Sequence, residues 1–265
     1  MDAARDFTVF GACVGVKIMS VILEVNKLSK DFGGLTAVCD LGFDVRHGEI
    51  VGLIGPNGAG KTTTFNLITG FETPDKGEVK LLGQSIVGLR PFEICRRGMT
   101  RTFQQAKPML GMTVLENIVV GSLNKVGKLK EALNHSREIL SFLDLTGYQD
   151  TLAENLPIGL RKVLELAKCL ATQPKLLLLD EVMAGLNPSE IGMVLEKIKA
   201  MRLRGISVLL IEHVMEAVMS ISDRVVVLDY GQKICEGVPS DVIREPRVIE
   251  AYLGDSFVLE TASKR

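Results

Sequence analysis

The 265-residue sequence predicts an α/β fold with a parallel core sheet, and two observations support this prediction. Short unbroken apolar runs are typical of parallel strands covered on both faces, and they occur at residues 50–54, 176–179, 206–211 and 224–228. Helical periodicity lies between these runs, at residues 61–68, 129–143, 161–171, 189–203 and 214–220. Strands that alternate with helices indicate a parallel sheet with helices packed on its faces.

The rest of the chain adds smaller elements to this core. Residues 21–26 and 41–46 alternate apolar and polar side chains, which predicts two half-buried strands. Residues 89–170 show helical periods and no strong strand pattern, so we expect a helical lobe inserted into the core. The tripeptide YGQ at 230–232 predicts a hairpin turn, and two short helices are expected around Pro246.

The ends of the chain are predicted to lie outside the folded domain. We expect one domain over residues 21–254. Residues 1–20 are predicted to be a disordered extension, with Met19 as an alternative start of the chain. Residues 255–265 are predicted to form a frayed tail.

Composition excludes several classes of protein. Hydrophobic residues make up 46% and charged residues 24%, which is typical of a globular chain. The net charge of −1 gives no electrostatic reason to expect a nucleic-acid partner. The five cysteines are scattered and form no CxxC pair, which argues against a zinc site and a disulfide framework. No apolar run in the sequence reaches the roughly 18 residues of a membrane span.

Residues 55–62 read GPNGAGKT and match the phosphate-binding pattern G-x-x-x-x-G-K-[ST]. The motif follows an apolar run and opens a helix at Lys61, as the pattern requires. The glycines let the backbone curl so that its N–H groups point at phosphate oxygens. Lys61 can reach the β- and γ-phosphates, and Thr62 can place its hydroxyl on Mg²⁺. The predicted phosphate site comprises Gly55, Pro56, Asn57, Gly58, Ala59, Gly60, Lys61, Thr62 and Thr63.

Two acids and a histidine complete a predicted nucleotide site. Asp180 ends the apolar run 176–179, so its carboxylate can emerge at the carboxyl edge of the sheet and hold Mg²⁺ through water. Glu181 follows on the opposite side of the strand and can polarise an attacking water. His213 ends a third apolar strand at the same edge, which favours contact with the γ-phosphate.

These motifs, in this order, closely resemble the ATP-binding cassette subunit of ABC transporters, over about residues 23–253. The resemblance rests on GPNGAGKT (55–62), RTFQQ (101–105), LLLLDE (176–181) and IEH (211–213). The chain is most similar to the ATPase subunits of branched-chain amino-acid uptake systems. The segments that carry this closer likeness are GLTAV (34–38), NLITGF (66–71), RTFQ (101–104), MTVLENIVVG (112–121), AGLNP (184–188) and AYLG (251–254). The resemblance implies a P-loop NTPase cassette with an antiparallel β subdomain and an inserted helical subdomain at about 89–170.

The resemblance also implies roles that spacing alone does not give. Phe32 matches the aromatic residue that stacks on adenine. Gln104 matches the glutamine that touches Mg²⁺ and the attacking water, with Gln105 as the second choice. Asp180 and Glu181 match the metal-binding and catalytic acids, and His213 matches the switch histidine. Asn187 lies where the family often has Asp, in a loop that crosses a dimer interface.

The segment 156–160 departs from the family pattern LSGGQ, because it reads LPIGL. Only Leu156 and Gly159 match, and both are predicted to contact ATP across the dimer. Pro157 replaces the serine that bonds the γ-phosphate. A helix beginning near Leu160 can still aim its N–H groups at phosphate. Loss of one hydroxyl contact to a charged group costs about 1.5–3 kcal/mol, so slower turnover is expected rather than none.

The resemblance implies ATP and Mg²⁺ as cofactors and several protein partners. ATP would lie between loop 55–62 of one subunit and segment 156–160 of a second ATPase subunit, in a homodimer or a heterodimer. Integral-membrane permease subunits would dock near residues 104–114, where Met109, Leu110 and Met112 offer either apolar surface or core. A periplasmic solute-binding protein would take part indirectly. These partners imply a peripheral protein on the cytoplasmic face of the cell membrane.

Three other functions remain as alternatives. A soluble ABC-type ATPase of DNA repair, chromosome maintenance or translation is disfavoured by the absence of long heptad insertions, by the single cassette and by the near-zero net charge. A small-molecule kinase would not need Gln104 or His213. A degenerate, regulatory nucleotide binder stays open because of segment 156–160. Branched-chain amino acids are the expected solute, with other amino acids, amides or urea as alternatives.

Overall fold

The computed structural model describes residues 20–103 and 108–252. The predicted disordered extension, apart from Ser20, and the predicted frayed tail lie outside those residues. The strands in the described part of the chain are β1 (Val21–Phe32), β2 (Leu35–Arg46), β3 (Ile50–Ile54), β4 (Lys76–Leu81), β5 (Gln84–Ser85), β6 (Met99–Arg101), β7 (Leu176–Asp180), β8 (Ser207–Ile211), β9 (Arg224–Asp229) and β10 (Gln232–Gly237).

The helices connect and cover these strands. They are α1 (Lys61–Ile68), α2 (Pro91–Arg96), α3 (Val114–Ser122), α4 (Leu129–Phe142), α5 (Ile158–Ala171), α6 (Pro188–Leu203), α7 (Met215–Ile221) and α8 (Pro239–Val242). Residues 246–252 form a further helix, α9, which reaches the end of the described chain. No helix within the described ranges is both long enough and apolar enough to cross a membrane.

The core sheet has six strands in the order β10-β9-β3-β8-β7-β6. Neighbouring strands from β9 to β6 run parallel, and only β10 pairs antiparallel, through the predicted hairpin with β9. The parallel core is therefore confirmed. Residues 89–170, which show no strong strand pattern in the sequence, also contain β6, whose three residues form one edge of this sheet. A run this short carries no readable periodicity.

A second, antiparallel sheet has the order β2-β1-β4-β5. This sheet confirms the β subdomain that the resemblance implies. Strands β1 and β2 are each 12 residues long, about twice the predicted length. Shifts in their pairing register interrupt the apolar–polar alternation and so hide the true length from the sequence pattern.

Alternate residues of the core strands face two different hydrophobic clusters. In β7, Leu177 and Leu179 belong to a cluster that packs against α3–α7, whereas Leu176 and Leu178 belong to a cluster shared with the antiparallel sheet and α1. All four are buried. Because both faces of β7 are covered, its sequence is an unbroken apolar run. Its polar residue comes at the end of the strand, at the carboxyl edge of the sheet.

An ion cluster around Arg224, at the start of β9, joins the two sheets. Its guanidinium lies 3.2 Å from Asp44 Oδ1 of β2, 3.1 Å from Glu49 Oε1 before β3 and 2.8 Å from Glu236 Oε1 of β10. The cluster lies at the opposite end of β3 from the phosphate loop. It therefore fixes the antiparallel sheet against the core without occupying the site.

Candidate nucleotide site

The loop between β3 and α1 is held in a conformation that requires glycine at two positions. Gly55 has a φ of 153°, and a Cβ there would lie 2.2 Å from the carbonyl oxygen of Leu228. Gly60 has a φ of 96°, and a Cβ there would lie 2.4 Å from the carbonyl oxygen of Ala37. The loop is thus pressed between β9 and β2, and close backbone approach is what these glycines provide.

Lys61 spans the loop that it terminates. Its ammonium donates to the carbonyl oxygens of Gly55 at 2.7 Å and Pro56 at 2.8 Å. Burial lowers the pKa of Lys61, and the nearby carboxylates of Glu181 and Asp180 oppose that shift. A buried cation with acidic neighbours and an open cleft beside it is well placed to meet phosphate.

The first turn of α1 presents backbone donors to the same cleft. Its N-cap is Gly60, which supplies no side-chain cap, and the first turn contains no acidic residue. The hydroxyl-bearing side chain of Thr62 is exposed, and Thr63 is half-buried. Helix N-termini of this kind favour anions.

One cleft of about 400 Å³ brings most of the predicted residues together. Phe32 stands at its rim, with its side chain 44% exposed and the Lys30 ammonium 5.3 Å from the ring centroid. An aromatic ring so exposed is available for stacking on a base. The cleft is lined by Phe32, Leu35, Thr36, Ala37, residues 57–63, Glu181, His213 and Tyr230.

Asp180 ends β7 inside a buried ion pair. Its Oδ2 accepts from the Arg101 guanidinium at 2.6 Å, and both side chains are less than a tenth exposed. Burial raises the pKa of Asp180, and the Arg101 cation opposes the shift. The hydroxyl of Thr102 also accepts from the Asp180 backbone N–H at 3.0 Å. The acid is therefore held at the sheet edge by the end of β6.

Glu181 and His213 contact each other across the ends of β7 and β8. Glu181 Oε1 lies 2.8 Å from His213 Nε2, and the Glu181 backbone N–H donates to the Ile211 carbonyl at 2.9 Å. Glu181 has a φ of 49°, a left-handed conformation that is costly for a residue with a Cβ. Such strain persists where the surroundings enforce it, and it often marks a functional position.

Glu212 is an acidic residue that sequence reasoning missed. It is 2% exposed, and its Oε1 accepts from the Met183 backbone N–H at 2.9 Å. Burial raises the pKa of Glu212 to about 7. The Lys162 ammonium of α5 donates to the Glu181 carbonyl at 3.3 Å nearby. Glu212 and Lys162 thus hold the loop that carries Glu181 from two sides. The one sequence signal for this role of Glu212 is that it directly precedes His213.

The segment 156–160 leads into α5. Helix α5 begins at Ile158 rather than near Leu160, with Pro157 as an N-cap that supplies no side-chain hydrogen bond. Leu156 is buried in the core, so only its backbone can face a ligand. Gly159 lies close to the Glu190 side chain, because a Cβ at this position would lie 2.5 Å from Glu190 Oε1.

Asn187 has a local structural role. Its Oδ1 accepts from the Glu190 backbone N–H at 3.0 Å, and Glu190 Oε2 accepts from the Asn187 N–H at 2.9 Å. This reciprocal capping box starts α6. Gln104 and its alternative Gln105 lie outside the described residues, although Phe103 before them is 43% exposed beside the site.

The donor set fits a nucleotide and a magnesium ion. The curled loop, the α1 N-terminus and Lys61 suit phosphate oxygens. Asp180 and Thr62 carry the oxygen atoms that would hold Mg²⁺ beside those phosphates. Within the described residues no group of three or more His, Cys, Asp or Glu could hold a metal by itself. Mg²⁺ does not need such a group, because it commonly binds through one or two carboxylates together with substrate phosphates.

Comparisons with known proteins agree with this geometry. The ABC transporter family matches residues 38–184, and the family described as "Branched-chain amino acid ATP-binding cassette transporter" matches residues 232–258. The chain is 40% identical to the high-affinity branched-chain amino acid transport ATP-binding protein BraF of Pseudomonas aeruginosa, covering 89% of this chain and 98% of BraF. It is 41% identical to LivG of Escherichia coli K12, a protein of the same description, with the same coverage.

Solved structures give the same result. The fold superposes on a nucleotide-free ATP-binding cassette from an ABC transporter with a TM-score of 0.82, at 32% identity over 89% of this chain and 100% of that one. An ATP-binding cassette of an ABC transporter in its ADP conformation gives the same values. The chain therefore belongs to the ABC transporter family as an ATP-binding subunit, and it carries the C-terminal domain of branched-chain amino acid ATP-binding cassette transporters.

Proposed function

We propose that this chain hydrolyses Mg·ATP to power an ABC importer for amino acids, with branched-chain amino acids as the leading solutes. The observation that carries the chemistry is the single cleft in which loop residues 57–63, Glu181 and His213 meet. The relatives BraF and LivG are branched-chain amino acid transport ATP-binding proteins, and they supply the solute class. In this proposal the ATPase domain spans residues 21–254, with the helical subdomain at about 89–170.

The residues divide the work of phosphoryl transfer to water. Loop 55–62 and Lys61 hold the phosphates, and Phe32 stacks on the base. Glu181 accepts a proton from the attacking water, and His213, 2.8 Å away, fixes the carboxylate in place and reaches the γ-phosphate. Asp180, Thr62 and Gln104 would hold Mg²⁺, which neutralises developing negative charge when bound.

A second subunit would complete the site through the N-terminus of α5. Its first turn lacks a side-chain cap, so the backbone N–H groups of Ile158, Gly159 and Leu160 are available to a phosphate. These donors can substitute in part for the missing serine of the family pattern. The proposed arrangement is head to tail, with each ATP between loop 55–62 and segment 156–160.

Light scattering on Glu181→Gln tests this arrangement. The variant should bind Mg·ATP without hydrolysing it, so a closed dimer should accumulate only when nucleotide is present. If the protein stays monomeric with saturating Mg·ATP, the homodimer is wrong and the second subunit must be a different ATPase.

An apolar groove offers a docking surface for a permease helix. It is lined by the side chains of Phe103, Met109 and Val120, beside Arg101 and the Glu165–Lys168 ion pair. The exposed ring of Phe71 packs against Phe103 and extends the groove. Of the methionines predicted as surface or core, Met109 and Met112 are half-buried. This surface suits an amphipathic helix, and docking there would place the chain on the cytoplasmic face of the membrane.

Phosphate release from Mg·ATP is the experiment that tests the enzymatic function. Purified protein should release phosphate in a reaction that Glu181→Gln abolishes. A chain that binds ATP and releases no phosphate, alone or with its permease subunits, would favour the alternative of a regulatory ABC-type nucleotide binder. Co-purification of the chain with permease subunits, weakened by Phe103→Ser, tests the partner and the location together.

A further inference from the structure

We propose that Arg101 is a positioning residue that presents the Asp180 carboxylate to the metal of the bound nucleotide and links it to the apolar groove. This inference rests on the proposed function of the site. Arg101 opens the motif RTFQ (101–104), and neither the motif nor the family resemblance assigns it a role. The structure places it between the groove and the predicted metal acid.

Arg101 is held by polar groups from three directions. Its Nη2 donates to Asp180 Oδ2 at 2.6 Å. Its Nη1 donates to Asn66 Oδ1 at 2.7 Å and to Thr69 Oγ1 at 3.3 Å, both on or beside α1. A planar guanidinium satisfies such a set of acceptors at once, whereas a lysine ammonium presents a point charge on a flexible stem. Asp180 is therefore tied to the helix that starts at the phosphate loop.

Three aromatic rings surround the same guanidinium. The centroids of Phe65, Phe71 and Phe103 lie 5.7, 5.6 and 5.1 Å from the Arg101 Cζ. Phe71 and Phe103 pack edge to face with centroids 5.6 Å apart, and each is nearly half exposed. The rings restrict the side chain to one orientation, since arginine stacks favourably on aromatic faces.

The ion pair is better explained by orientation than by stability. A buried arginine–carboxylate pair often contributes no more stability than apolar residues of the same volume. The free-energy cost of burying the two charges is explained if the ion pair holds the Asp180 carboxylate in place, with Oδ2 fixed. A group that hydrogen-bonds to a metal ligand and orients it, without contacting the metal, affects metal affinity strongly.

The same arginine reaches the proposed docking surface. Arg101 and Phe103 both line the apolar groove, and Phe103 directly precedes Gln104 in the sequence. A helix seated on Phe71 and Phe103 would press on the two rings that cover the guanidinium. Occupancy of the groove can therefore bias Asp180 through a side-chain route that is additional to Gln104.

The test measures Mn²⁺ binding to the full chain in the presence of ADP, by the loss of the free-Mn²⁺ electron paramagnetic resonance signal. Mn²⁺ replaces Mg²⁺ as an observable ion. Arg101→Lys keeps the positive charge but loses the planar set of guanidinium N–H donors. This variant should weaken Mn²⁺ binding about tenfold. ADP affinity without metal should stay close to that of the unchanged protein, and the melting temperature, although lowered by the lost hydrogen bonds, should stay well above the assay temperature.

Arg96→Lys is the matched control. Arg96 is exposed on α2 and its Cζ lies 5.5 Å from the centroid of the Phe92 ring, so it repeats an arginine–phenylalanine contact outside the ion pair of Asp180. It should leave Mn²⁺ affinity unchanged. Phe103→Ala, compared with Phe92→Ala, should weaken Mn²⁺ binding in the same direction as Arg101→Lys by a smaller factor.

Three results would overturn the inference. If Arg101→Lys binds Mn²⁺ as tightly as the unchanged protein, the guanidinium of Arg101 does not position Asp180. If Arg101→Met binds Mn²⁺ more tightly, Arg101 only competes with the metal for the carboxylate. If Phe103→Ala has no effect, the link to the groove is absent. If the unchanged protein itself binds no ADP, it is the proposed function that fails.

Discussion

Glu181 Oε1 and His213 Nε2 lie 2.8 Å apart although 32 residues separate them in the chain. Two neighbouring parallel strands, β7 and β8, end side by side and bring the two residues to one edge of the sheet. Glu181 is 12% exposed and His213 is 48% exposed, so the pair is open toward the cleft from one side. The histidine can therefore both orient the carboxylate and contact a phosphate.

His213→Ala is expected to lower kcat for ATP hydrolysis by at least about a hundredfold, because the Glu181 carboxylate loses the group that orients it. ATP affinity should change much less, since Lys61 and loop 55–62 hold the phosphates. Steady-state phosphate release and calorimetric ATP binding measure the two effects. His135→Ala, remote from the cleft, is the control. Equal kcat for both variants would contradict this role for His213.

Gly60→Ala is expected to destroy the phosphate loop. The added Cβ would lie 2.4 Å from the Ala37 carbonyl oxygen at a φ of 96°, so the loop must shift. We expect at least a tenfold loss of ATP affinity and a lower free energy of unfolding. Gly83→Ala is the control, because Gly83 has a φ of 75° with no atom within 4 Å of an added Cβ.

Calorimetry and urea unfolding distinguish the two glycine variants. Gly83→Ala should cost only about 1–2 kcal/mol of backbone strain and should leave ATP binding intact. A Gly60→Ala protein that binds ATP normally would show that the close contact between the loop and β2 does not shape the site.

Glu212 is expected to make stability depend on pH. Burial raises the pKa of Glu212 from 4.5 to about 7, opposed by the N–H groups of Met183 and His213 and by Lys162, and reinforced by Glu181. The folded state then binds more protons than the unfolded state between these values. The stabilisation is full below pH 4.5 and is lost as the pH rises through 7.

Urea unfolding at pH 5 and pH 8 tests this effect. The free energy of unfolding should fall by up to about 3 kcal/mol more in the unchanged protein than in Glu212→Gln. Glu216→Gln, on the exposed face of α7, should keep the pH dependence. An identical pH profile for the unchanged and Glu212→Gln proteins would contradict the raised pKa.

Tyr230→Asn is expected to stabilise the fold. Tyr230 has a φ of 42° in the turn between β9 and β10, and its side chain is 86% exposed. Asparagine followed by glycine suits a turn with two left-handed residues, and Gly231 already follows with a φ of 78°. The gain should be about 1 kcal/mol in urea unfolding. A loss of stability would show that the ring makes a contact worth more than the strain.

Strands that are buried on both faces and helices that are bounded by a motif could be predicted from the sequence. The predicted bounds of β3 and α1 agree with the structure residue for residue, because an apolar run and a glycine loop mark their limits. The register shifts between β1 and β2 and the three-residue β6 could not be predicted, because they are defined by strand pairing, which the apolar–polar pattern does not show.

The site shows the same division. Motif spacing predicted one shared edge of the sheet for Lys61, Asp180, Glu181 and His213, because the carboxyl ends of parallel strands meet there. In the structure these residues lie at or after the ends of β3, β7 and β8. The contacts of Arg101 could not be predicted from the sequence, because its partners Asn66 and Asp180 lie 35 and 79 positions away in the chain. Buried charge is visible only after folding, since polar residues in a sequence are expected to be exposed.

The most direct test of ATP hydrolysis at this site compares the unchanged protein with Glu181→Gln, using equilibrium ATP binding and phosphate release on the same preparations. Both proteins should bind Mg·ATP with similar affinity, and only the unchanged protein should release phosphate at a rate well above the background. Phosphate release by Glu181→Gln at the rate of the unchanged protein would contradict the assignment of Glu181 as the group that activates water.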